Sequence, residues 1–247
     1  MRSSIQLRRK LIVLMSFLLC ASAQASVTLS GTRVVFSGSD KEATVHLTND
    51  GKLPSLVQAW MDKGDERASP DAIDVPFVIT PTVFRVEPGK GQTIRIIYTG
   101  EPLPADRESL FWLNVLDVPP KARNEGEPNR LQIAFRTRIK LMYRPAGLPG
   151  DSIDAPKQLQ WSLASAPGVP VALTAKNPTP YVVNLGGVAL VTNGKTYDAG
   201  LGYVLPGGSA SFPVTGLTKA DMNGARVVYS SFSDWGGSQA NEAAIPN

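Results

Sequence analysis

The chain is poor in the residues that most enzyme chemistry needs. One cysteine and one histidine in 247 residues exclude most metal sites, and every thiol–imidazole arrangement that uses more than one of either. Leucine heptads, long charge runs and residue-level repeats are missing, which removes coiled coils and solenoids. Past the first 25 residues no segment of helical length repeats its apolar residues every 3.6 positions. What is present is a hydrophobic share of 43% against 19% charged, so the composition of disorder is absent. The length allows one large domain or two ordinary ones.

The first segment accounts for the cysteine. Arg8, Arg9 and Lys10 form a basic start, Leu11 to Leu19 is an almost unbroken apolar run, and Ala23-Gln24-Ala25 is an A-x-A cleavage site before Ser26. The run is far below the ~20 residues of a membrane-spanning helix, so residues 1–25 read as a secretory signal peptide. Leu19 precedes Cys20 where a lipoprotein site wants Gly or Ala, so no lipid anchor is expected. Cleavage removes Cys20, Arg2, Arg8, Arg9 and Lys10 with no acid, and the formal charge falls from +4 to zero. A neutral mature chain offers no electrostatic case for nucleic acid or for an anionic membrane. An exported, soluble protein without disulfides is expected.

The remainder reads as strands. Val27 to Phe36, Ala43 to Thr48, Leu56 to Met61, Val83 to Val86, Thr93 to Tyr98, Leu110 to Leu116 and Leu131 to Tyr143 are rich in β-branched and apolar residues, with Pro and Gly between them. A break follows at Arg144-Pro145-Ala146-Gly147, and a second set of strands runs from Leu159 to Phe232, with Tyr181 to Leu185 and Val188 to Val191 read as separate strands. Asn193-Gly194 marks a two-residue hairpin, and the tail from Gly236 is small, polar and expected to be loose. The pattern predicts an all-β protein of two immunoglobulin-like sandwiches, residues 26–146 and 147–247.

Catalytic constellations fail. A Ser–His–Asp set could use only His46, which alternates with Val45 and Leu47 and so faces out of a strand. No Gly-rich loop opens a helix, and nothing singles out a carboxylate pair. No catalytic residue, metal ligand or cofactor is expected.

The unusual element is the stretch from Leu131 to Tyr143, thirteen residues and about twice the usual strand length. Leu131, Ile133 and Phe135 share one face. Two readings fit. Periodicity favours their lying in the domain's own core, and the other is an exposed strand lent to a partner chain.

At this point the residues resemble a known family. Ser26-Val27-Thr28-Leu29-Ser30-Gly31-Thr32-Arg33 is similar to the mature start of the periplasmic pilus-assembly chaperones, as are Gln58-Ala59-Trp60, Arg85-Val86-Glu87-Pro88-Gly89 and Leu103-Pro104-Ala105-Asp106-Arg107-Glu108-Ser109-Leu110-Phe111-Trp112. Arg138-Ile139-Lys140-Leu141-Met142-Tyr143-Arg144-Pro145 and Asn177-Pro178-Thr179-Pro180-Tyr181 follow in the family's order.

The resemblance implies a boomerang of two immunoglobulin-like domains around a cleft. It implies a periplasmic chaperone that binds pilus subunits one to one, completes each with a strand and delivers it to an outer-membrane usher, and that self-associates when free. Leu131, Ile133 and Phe135 take the donor positions, Arg33 and Lys140 those that hold the subunit's C-terminal carboxylate. Glu108, Arg144 and Asp234 match an ionic cluster between the domains. Without the family, Arg136 and Arg138 are candidates equal to Lys140.

Pro81 is followed by Thr82 where the family often has a second proline, and the cysteine-free loop after Leu116 is of the short kind. The rival readings are an exported pilus subunit or adhesin, which usually carries a cysteine pair, and a periplasmic carbohydrate-active protein, which needs a carboxylate pair in a cleft.

Overall fold

The computed structural model describes residues 27–70, 74–121, 132–166, 169–217 and 224–246. The signal segment, Leu131 and most of the loop before it lie outside the described residues.

The first half forms β1 (Val27–Leu29), β2 (Arg33–Ser37), β3 (Glu42–Asn49), β4 (Ser55–Asp62), β5 (Phe77–Thr80), β6 (Val83–Val86), β7 (Gly91–Tyr98), β8 (Ser109–Val118) and β9 (Phe135–Arg144). They build two facing sheets, ordered β1-β3-β7-β5 and β2-β9-β8-β4-β6. Period-2 alternation points one row of each sheet inward. Val45 and Leu47 are buried, for instance, while His46 turns outward beside Thr93. Phe36, Leu47, Met61, Ile94, Ile96, Leu113 and Leu141 are almost fully enclosed. Each such side chain contributes about 1.5–3 kcal/mol.

The second half forms β10 (Gln160–Ala166), β11 (Val169–Lys176), β12 (Val183–Thr192), β13 (Lys195–Asp198), β14 (Gly202–Val204), β15 (Ser209–Pro213), β16 (Arg226–Phe232) and β17 (Ser238–Ala244). Its sheets run β10-β11-β15 and β13-β12-β16-β17, with β14 also on β12. Its core is separate, with Trp161 packed on Phe212 and Tyr229 at ring distances of 5.9 and 5.1 Å. The expected all-β pair of immunoglobulin-like sandwiches is the architecture observed. Asn193 and Gly194 carry φ of 49° and 71°, the left-handed pair that a two-residue hairpin between Thr192 and Lys195 requires.

Four local expectations need correction. The stretch from Val27 to Phe36 is two strands, because the chain crosses from one sheet to the other between β1 and β2. The segments at 181–185 and 188–191 are one strand, β12, bulged between Leu185 and Gly187. The tail is not loose: β17 pairs with β16 from Arg226↔Ala244 to Phe232↔Ser238. It is an edge strand whose side chains are mostly exposed, so backbone hydrogen bonds hold it and its small, polar residues give no apolar signal. Finally, the long strand begins at Phe135; residues 132–134 are described and lie outside it.

Candidate functional site: the open half of β9 and the cleft beside it

β9 is paired differently along its length. On one side β8 accompanies it from Phe135↔Asp117 to Tyr143↔Ser109. On the other, β2 joins it in parallel only from Arg33↔Lys140 to Ser37↔Arg144. Among the described residues no strand occupies that second edge beside 135–139. Its backbone donors and acceptors are a template for another chain.

Burial changes at the same place. Ile139 and Leu141 belong to the core at 7% and 0% exposure, whereas Phe135 and Ile133, of the same parity, are 47% and 51% exposed. The open edge therefore carries large apolar groups that the domain does not cover. Neither of the two readings of the sequence describes the whole strand, because the same face is core at one end and uncovered at the other. Leu131 lies outside the described residues.

The opposite face of β9 is cationic, and contacts separate its members. Arg138 donates to buried Asp62 through Nη2 at 2.5 Å and Nε at 3.1 Å, and its guanidinium lies 4.0 Å from the Trp112 ring centroid. Arg136 donates to Asn114 Oδ1 at 2.6 and 2.9 Å and stacks on Trp60. Burial works against the Asp62 charge, but hydrogen bonds from Arg138 and Asn114 outweigh it and hold the carboxyl below its usual range. Arg136 and Arg138 are thus structural.

Arg33 and Lys140 are different. They are direct neighbours on β2 and β9, two like charges side by side. Lys140 Nζ donates to Asn184 Oδ1 at 2.6 Å and sits 4.5 Å from the Tyr203 ring centroid, both in the second domain. The guanidinium of Arg33 lies 5.0 Å from the Phe232 ring centroid, and its Nε and Nη1 are buried without a hydrogen-bond partner among the described residues. Unpaired buried donors are costly and need explaining. Burial first, then the charge of Arg33, brings the Lys140 pKa down to about 8. Burial likewise lowers that of Arg33, with Asp234 opposing it. Two adjacent, partly dried cations have the chemistry to hold an anion, and a carboxylate has the lone pairs to satisfy both. They line a cleft of about 480 Å³ between the two domains.

A second set of contacts ties the domains together. Arg144 donates to Glu108 Oε1 at 2.6 Å and to both Asp234 oxygens at 2.8 and 3.0 Å. Glu108 also accepts from the Val182 backbone N–H at 2.6 Å, and Asp234 from Ser152 at 3.0 Å. Burial works against the Arg144 cation, but its bonds to Asp234 and Glu108 prevail and raise its pKa above the ordinary guanidinium value. Because Glu108 is only 4% exposed, the pair is one whose breakage leaves a buried charge, unlike a surface ion pair.

Sequence reasoning missed the second domain's share of the cleft: Asn184, Tyr203 and Phe232 carry no motif. It also missed Asp62 and Asn114, whose partners are more than 20 residues away along the chain.

Comparison with known proteins identifies the family. The model of the pili and flagellar-assembly chaperone PapD N-terminal domain matches residues 26–149, and that of the pili assembly chaperone PapD C-terminal domain matches residues 154–243. The chain is 42% identical over 228 residues to the probable fimbrial chaperone YadV of Escherichia coli, covering 91% of this chain and 92% of that one. The crystal structure of YadV superposes with a TM-score of 0.77 at 39% identity, over 90% of this chain and 100% of that one. Chaperone protein FimB/FhaD of Bordetella pertussis is 42% identical over 232 residues, 92% of this chain and 91% of that one. The SafB chaperone, solved in complex with the SafA pilin of Salmonella enterica, gives a TM-score of 0.74 at 28% identity, over 91% of this chain and 99% of that one. With both domain models matched in order and relatives of this identity covered almost end to end, the chain belongs to the two-domain pilus-assembly chaperones.

Proposed function

We propose that this chain is a periplasmic chaperone, cleaved after Ala25, that captures pilus subunits by lending them β9 and passes them to an outer-membrane usher. It divides at residue 146 into a strand-donating domain and a second domain that closes the cleft. The observation that carries this reading is the open edge of β9 at 135–139, which leads directly into Arg33 and Lys140, with Phe135 and Ile133 uncovered at its start. A subunit strand added to that edge gains main-chain hydrogen bonds, and Leu131, Ile133 and Phe135 enter its core. This is strand addition, for which chaperone–pilin pairs are a standing example. Holding the chain end at the two cations sets the register, since a one-residue slip turns every side chain to the wrong face. The SafB–SafA complex is a precedent from a relative for a pilin partner. The work is binding, with no reaction of its own.

Co-expression with a pilus subunit from the same organism tests this. The periplasmic extract is expected to yield a one-to-one complex and the subunit alone to be degraded. Recovery of the subunit in equal amount without the chaperone would overturn the proposal.

Lys140 adds a pH dependence whose sign follows from its lowered pKa. Binding a carboxylate favours the charged amine, so affinity is fully present below about pH 7 and falls as the free protein loses the proton through about pH 8. Calorimetry with a peptide of the subunit's C-terminal strand is expected to show about tenfold weaker binding per pH unit above 8. The Lys140→Arg variant, which keeps its charge, should hold its affinity constant to about pH 10.

A further inference from the structure

We propose that the cleft beside Arg33 and Lys140 reads the side chain of the subunit's last residue as well as its carboxylate, and favours a large apolar or aromatic one. This rests on the strand-donation reading for the identity of the occupant.

The cleft is larger and more apolar than a carboxylate needs. Its volume of about 480 Å³ is in the range of pockets that enclose whole small molecules. Trp112 lines it from the first domain, and Leu185, Leu201, Tyr203 and Phe232 from the second. Leu201 is 74% exposed, a large apolar group that nothing in its own domain covers. The aromatic walls are also fixed. Tyr203 and Trp112 meet edge to face at 6.0 Å, and Lys140 and Arg33 each lie against a ring of the second domain. Phe232 holds its place because residue 186 is glycine: a Cβ there would come within 2.5 Å of the Phe232 ring.

Charge and geometry identify the occupant. The two cations call for an anion, and the open edge of β9 ends where Lys140 begins its pairing with Arg33. A strand laid along 135–139 with its terminal carboxylate on these cations carries its last side chain into the same cleft. That side chain branches from the same Cα as the carboxylate, so it cannot lie far from the charge. An apolar residue there exchanges water for Leu201, Tyr203 and Phe232. A small or charged one leaves the walls wet.

The test uses the mature protein and three synthetic peptides of alternating apolar and polar residues, identical except at the end: Phe acid, Ala acid and Phe amide. Calorimetry is expected to find the Phe acid about tenfold tighter than the Ala acid. The amide should bind at least tenfold more weakly than the Phe acid, because it lacks the charge. In the Leu201→Ala variant the ratio of Phe to Ala acid should fall below about twofold. Equal binding of the Phe and Ala acids, with the amide still weak, would overturn side-chain selection and leave the carboxylate anchor standing. An amide as tight as the acid would overturn the anchor itself, and with it the occupant assumed here. No binding of the Phe acid at about 1 mM would overturn both.

Discussion

Replacing Arg33 by Ala, or Lys140 by Met, is expected to abolish subunit capture while the free protein melts within a few degrees of the parent. Removing one partner of a desolvated charge pair costs about 2–5 kcal/mol, a loss of roughly thirty- to several-thousand-fold in affinity. The fold should not suffer. Among the described residues Arg33 Nε and Nη1 make no hydrogen bond, and burial disfavours both charges. Deleting either also relieves the other of a like charge. Arg138→Ala is the informative contrast on the same strand. It would leave Asp62, 2% exposed, without its principal cation and so should cost several kcal/mol of stability. Thermal melting and recovery of the subunit from the periplasm, measured side by side, separate the two kinds of residue. An Arg33→Ala protein that is folded and still protects subunits would show that the anchor is elsewhere.

That contrast also shows where sequence reasoning stopped. Arg136, Arg138 and Lys140 are alternate residues of one strand and chemically alike, and only the family resemblance separated Lys140 from the others. What distinguishes them is what β4, β8 and the second domain bring to each: Asp62 and Asn114 to the arginines, Asn184 and Tyr203 to the lysine. Those partners are assembled by folding and carry no local signal.

The fold was more legible. Val45 and Leu47 reveal their strand by alternation, and Asn193-Gly194 its hairpin by the left-handed geometry both residues tolerate. β17 was not legible, because an edge strand with both faces largely solvated needs no apolar residues. The start of β9 was misplaced for a related reason. Leu131 to Phe135 has a strand's composition, yet β2 does not reach that part of the chain, and the described residues 132–134 belong to no strand. Apolar alternation marks a segment able to be a strand, and does not tell whether its partner is in the same molecule.

The apolar face that runs through β9 is core at one end and uncovered at the other, and a pair of identical substitutions on it tests strand donation. Ile139→Asp buries an unpaired carboxylate at a site 7% exposed and should unfold the first domain. Ile133→Asp changes a residue that is 51% exposed and should move the melting temperature of the free monomer by no more than about 2 °C. In a complex that carboxylate would have to enter the subunit's apolar groove, so binding should collapse. The most direct measurement is therefore the amount of subunit recovered from the periplasm with the folded Ile133→Asp protein. Loss of the subunit with an unchanged melting temperature is the result expected. Full recovery of the subunit, or a monomer that melts many degrees lower, would return Ile133 to an ordinary structural role and contradict strand donation.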